Sequence, residues 1–252
     1  MSKHLMLAAA TLALAAPALA AAAPAAKPTI VLVHGAFADA LGFQKLIPIL
    51  LSDGYPVTAV EIPLETLAGD VATTKRALEA VTGPIVLVGH SYGGAVITGA
   101  GAGESNVKAL VYLAAFAPDN GEAVGAFGDK YPVALSKVLK PDSAGFLYVD
   151  RGAFNEDFAG GVPAGDSAIM AATQKPLSSS VFTASVPVAA WKTIPSWYVV
   201  SKQDHAINPD LERFYAKRMN AHTSEVDASH VAFITHPAEI ARVIEQAADS
   251  VK

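Results

Sequence analysis

Cysteine is absent from the 252-residue chain. Its absence excludes disulfides, a thiolate zinc site and a thiol nucleophile. Charge is sparse, at 16% of residues, and the formal net charge is −5. No basic cluster is available to neutralise phosphates, so a nucleic-acid partner is excluded. Internal repeats are also missing. What the chain has in plenty is apolar side chain, 52% of its residues. At this length that amounts to one α/β domain with an ample core.

The N-terminus carries a targeting pattern. Lys3 and His4 precede an apolar stretch from Leu5 to about Ala16, and Pro17-Ala18-Leu19-Ala20 ends in an A-x-A cleavage pattern. The stretch has the form of a secretory signal peptide and is short for a membrane span. The expectation is a signal peptide over 1–20, a leader over 21–28, and export to the periplasm or beyond. No membrane span is expected in the mature chain.

The centre of the sequence is Pro84 to Ile97. Ile85, Val86, Leu87 and Val88 form an apolar run too short for a helix and rich in β-branched residues, which reads as a strand buried on both faces. Gly89-His90-Ser91-Tyr92-Gly93 follows and fits G-x-S-x-G. A strand reversing straight into a helix forces its central residue into a strained conformation. Glycine at 89 and 93 lets the two backbones approach, because a Cβ there would clash. Ser91 is then lifted clear of the sheet at a helix N-terminus, where an acyl-transfer nucleophile is useful.

Around this turn, strands are expected at Thr29–Val33, Pro56–Ile62, Val107–Ala114, Ser196–Ser201 and Ser224–Val226. Helices are expected at Leu41–Leu51, Asp70–Val81, from the turn to about Ala102, at Leu211–Met219 and at Pro237–Ala248. Gly99, Gly101 and Gly103 follow a helix rather than a strand and read as its exit, not as a dinucleotide loop. About six strands alternating with helices imply a parallel sheet with helices on both faces. Between residues 120 and 193 the alternation lapses while aromatic residues continue, which reads as an inserted, partly helical cap. The core is then 29–119 with 194–252.

A serine hydroxyl needs a base within hydrogen-bond reach and a third group to orient that base. Ligands of open α/β sheets bind at the carboxyl ends of strands, so both partners should lie just after strands. Asp204 and His230 have the required order and placement. Asp119, after the fourth strand, is the rival acid. His34 and His90 precede Ser91 and read as scaffolding of their loops. The oxyanion hole needs two backbone N–H groups. Tyr92, after the nucleophile, supplies one, and Ala36 in His34-Gly35-Ala36 is the choice for the other.

With these residues in place, the chain resembles the α/β-hydrolase superfamily, in particular the group of plant methylesterases, hydroxynitrile lyases and their bacterial relatives. The resemblance covers about residues 29 to 119 and 196 to 248. It rests on Val33-His34-Gly35-Ala36, Gly89-His90-Ser91-Tyr92-Gly93-Gly94, Leu113-Ala114-Ala115-Phe116-Ala117-Pro118-Asp119 and the Asp204 and His230 segments. It implies an α/β-hydrolase fold, a Ser91–His230–Asp204 triad, and no cofactor or metal. The hydroxynitrile lyases of the group carry threonine where this chain has Gly35 and lysine where it has Val231. The expectation is therefore hydrolysis of small carboxylic esters. A lyase or perhydrolase on the same scaffold and a non-catalytic small-ligand binder are the alternatives.

Overall fold

The computed structural model describes residues 26–251. The expected signal peptide and most of the expected leader lie outside the described residues. Among the described residues no helix is long and apolar enough to cross a membrane. In chain order come β1 (Thr29–Val33), α1 (Ile47–Ser52), β2 (Val57–Val60), α2 (Leu67–Glu79), β3 (Ile85–His90), α3 (Tyr92–Ala100) and β4 (Val107–Leu113). The intervening segment forms β5 (Leu139–Pro141), β6 (Phe146–Val149), α4 (Phe154–Asp157), α5 (Ala164–Thr173) and β7 (Leu177–Ser178). The chain closes with β8 (Ser196–Ser201), α6 (Pro209–Arg218), β9 (His222–Val226), α7 (Ala232–Thr235) and α8 (Pro237–Asp249).

Six strands form one sheet in the order β2-β1-β3-β4-β8-β9, and every neighbouring pair is parallel. Right-handed crossovers decide where the helices go. The step from β1 to β2 runs one way along the sheet, and every later step runs the other. Consequently α1 and α8 pack together on one face, and α2 and α3 on the other. The direction reverses between β1 and β3, which opens a crevice at the carboxyl ends of those two strands.

Burial explains the sequence of the strands. All six residues of β3 and all six of β8 are buried, as a sheet covered on both faces requires. Each fully buried Val, Leu or Ile contributes roughly 1.5–3 kcal/mol. In α8 the buried positions are Ile240, Ala241, Val243, Ile244, Ala247 and Ala248, a single stripe at helical spacing.

Two expectations change in detail. The helix expected over Leu41–Leu51 is split into a 3-10 turn, Ala40–Lys45, and α1. Pro48 lacks the N–H that a continuous helix would need there, and it sits instead in the first turn of α1. The segment between β4 and β8 is more than helical: β5, β6 and β7 pair antiparallel as a second, three-stranded sheet. Its short strands and loops lack the length that makes periodicity legible. Arg218 of α6 fastens this segment to the core through Glu122 (2.6 Å) and the Ala117 carbonyl (2.6 Å).

Candidate active site

β3 ends at His90 and α3 begins at Tyr92, so Ser91 alone makes the reversal, with φ 53° and ψ −123°. A non-glycine residue here costs of order 1–3 kcal/mol. The surrounding backbone holds it: Ser91 N–H donates to Leu113 O (3.1 Å), while Ser91 O accepts from Gly94 (3.0 Å) and Phe116 (3.1 Å). The elbow glycines are where the approach is closest. A Cβ on Gly89 would lie 2.5 Å from Gly93 O, and one on Gly93 would lie 2.5 Å from Val33 O. The two positions are glycine because the elbow is threaded between β1 and its own helix.

Across the crevice, the loop after β1 carries the other expected donor. Ala36 and Tyr92 line the same cavity as Ser91. Tyr92 is the first residue of α3, so its N–H has no partner inside the helix. Phe37, next to Ala36, also has a positive φ of 60°, a strain the sequence does not announce. A Cβ on Gly35 would sit 2.7 Å from Ser91 Cβ and 3.0 Å from His90 O.

Asp204 follows β8 and His230 follows β9, and the two meet. Asp204 Oδ2 lies 2.6 Å from His230 Nδ1. Its other oxygen, Oδ1, accepts the N–H groups of Ala206 (2.6 Å) and Ile207 (2.9 Å). Both side chains are buried, so the carboxylate has a fixed position and the imidazole carries its proton on Nδ1. His230 Nε2 makes no hydrogen bond to Ser91 or to any other described residue.

His90 holds the far side of the His230 loop. Its Nε2 donates to the His230 carbonyl (3.0 Å), and the two rings are 4.6 Å apart. Burial, then the proximity of His230, lowers the pKa of His90 well below its ordinary value. His34 braces the β1 loop, donating from Nδ1 to Gly35 O (2.8 Å) and accepting the Ile62 N–H at Nε2 (3.2 Å). Burial lowers its pKa too. Both histidines are neutral supports. Asp119, the rival acid, pairs instead with Lys192 at 2.6 Å.

One participant escaped the sequence reading. Asp70 in the first turn of α2 is fully buried and accepts the Tyr92 hydroxyl (2.7 Å) and the Leu64 N–H (2.8 Å). Burial raises the pKa of both Asp70 and Tyr92. The pair pins the start of α3. In sequence, an acid in a first helical turn looks only like a favourable partner for the helix dipole.

The cavity over Ser91 has a volume of about 460 Å³. Phe37, Phe116, Phe158, Phe182, Leu147 and Ile207 are among its walls; among the described residues the lining includes one acid, Asp129, and no Lys or Arg. Leu139, Leu147 and Leu177 bring one residue from each strand of the small sheet. Among the described residues, no three His, Asp or Glu side chains converge as a metal site.

A probable hydrolase from Phoma sp. is 28% identical over 88% of this chain and 98% of its own. A carbendazim hydrolyzing esterase from Nocardioides sp. is 34% identical over 46% of this chain and 51% of its own. Among solved structures, a pyrethroid hydrolase from Sphingobium faniae superposes with a TM-score of 0.74 at 23% identity, over 88% of this chain and 98% of that one. Polyneuridine aldehyde esterase gives 0.78 at 17% identity, over 87% and 98%. At these identities the structures speak for the fold. The alpha/beta hydrolase family matches residues 30–243, a span that holds the elbow, both strand-end partners and the sheet between them, and the chain belongs to that family.

Proposed function

We propose that this hydrolase cleaves small, uncharged carboxylic esters through an acyl-enzyme on Ser91. The observation that carries the reading is the buried Asp204–His230 pair, which leaves Nε2 without a partner among the described residues and available to the strained serine. His230 Nε2 takes the Ser91 proton as Oγ bonds to the ester carbonyl carbon. The oxyanion is held by the N–H groups of Ala36 and Tyr92. His230 returns the proton to the departing alcohol, and Asp204 stabilises the imidazolium between these steps. Water then repeats the sequence, releasing the acid and restoring Ser91.

The mostly apolar walls favour an uncharged acyl or aryl group, and Asp129 with no Lys or Arg beside it in the described lining disfavours an anionic one. Cyanohydrin cleavage is disfavoured by two positions. A threonine at 35 would drive its Cβ against Ser91, and Val231 is a buried apolar residue where a cation would be needed.

A fluorophosphonate probe tests the reading. It should attach at Ser91 and fail to attach in Ser91→Ala, which should also lose on the order of 10⁴-fold in kcat on p-nitrophenyl esters. Equal labelling and turnover in Ser91→Ala would refute it.

A further inference from the structure

We infer that Glu212 is a positioning residue: a buried, protonated carboxylic acid that donates its hydrogen to the Asp204 carboxylate from behind. The inference rests on the triad reading above and adds a fourth member to it.

Glu212 lies on the face of α6 that packs against β8, and its side chain is fully buried. One oxygen, Oε2, accepts the Ser201 N–H (3.0 Å). Ser201 O in turn accepts the Asp204 N–H (3.2 Å), so the two acids grip the same residue from two sides. Asp204 also acts on the Glu212 carboxyl as a like charge and as a hydrogen-bond partner. The Arg213 charge offsets only part of what burial and Asp204 do to Glu212. Arg213, next in the helix, turns outward to Glu225 (2.8 Å) and Asp210 (2.9 Å). The Tyr198 hydroxyl, on β8, is engaged with the Ala115 carbonyl (2.5 Å). Beside His230 the other titratable ring is neutral His90.

Two adjoining carboxylates in a buried site cannot both be ionised. The hydrogen bonds decide which one keeps the proton. Asp204 accepts three N–H donors, two from backbone and one from His230. Glu212 accepts one, and its Oε1 has no donor among the described residues. The proton therefore sits on Glu212, whose pKa is raised well above the ordinary value by burial and then by Asp204. An O–H donated to Asp204 replaces repulsion with a charge-assisted hydrogen bond. It fixes the Asp204 rotamer and spreads its charge, which moderates the pull on the His230 proton.

The test uses the full-length enzyme and two variants. Glu212→Gln retains a donor, so the acidic limb of kcat/KM against pH should stay where it is in the wild type. Glu212→Leu removes the donor and should move that limb to higher pH. It should also lower kcat about tenfold with KM unchanged. An infrared difference spectrum between wild type and Glu212→Gln should show a protonated carboxyl in the wild type alone. A limb that moves to lower pH in Glu212→Gln means an ionised Glu212, and this or a missing band overturns the inference. Loss of Ser91 labelling in the wild type would instead count against the triad.

Discussion

Replacing Asp204 by asparagine changes one atom and should nearly silence the enzyme. Asp204 Oδ1 is already committed to the N–H groups of Ala206 (2.6 Å) and Ile207 (2.9 Å). Those two donors oblige the asparagine carbonyl to occupy the same place, which turns its NH2 toward His230 Nδ1, 2.6 Å away in the wild type. A donor facing Nδ1 forces the imidazole to carry its proton on Nε2. The lone pair that should receive the Ser91 proton is then gone. A wrong-tautomer triad costs about 10⁴-fold in kcat, or about 5.5 kcal/mol at about 1.36 kcal/mol per factor of ten. Ground-state binding is untouched, because Asp204 is not among the cavity walls. Initial rates on a p-nitrophenyl ester should show the loss in kcat with little change in KM, and thermal unfolding should confirm that the variant folds. A folded Asp204→Asn enzyme within about tenfold of wild type would refute the assignment of Asp204 as the orienting acid.

The remaining predictions concern the buried acids. Tyr92→Phe leaves Asp70 buried with one hydrogen bond in place of two, and should cost about 1–3 kcal/mol. Urea denaturation would measure this, and an unchanged midpoint would contradict it. Glu212 has a raised folded-state pKa against an ordinary value of 4.5, so above that pH the native state holds a proton that the unfolded chain has lost. Its contribution to stability is therefore full below the unfolded pKa and declines as pH rises toward the folded one, by about 1.4 kcal/mol per pH unit. Glu212→Gln abolishes that slope. The stability of Glu212→Gln relative to wild type should rise as pH climbs above 4.5, and a flat or falling difference would contradict the raised pKa.

The sequence by itself determined the sheet and the elbow with Ser91 at its tip. Apolar runs such as Ile85–Val88, the buried stripe of α8 and the glycines around Ser91 are local patterns, and local patterns are what a linear reading detects. It also narrowed the partners to a few strand ends by chain order, naming Asp204 and His230 while leaving Asp119 as a rival. Tertiary structure shows Lys192 paired with Asp119 and Asp204 meeting His230, which favours Asp204 as the orienting acid. It alone disclosed the small antiparallel sheet, the Asp70 anchor beneath Tyr92 and the Glu212 carboxyl behind Asp204. These features depend on which side chains from distant segments are shut away from water together. Removing water is what makes an ordinary acid on a helix a neutral hydrogen-bond donor, and no run of neighbouring residues encodes that.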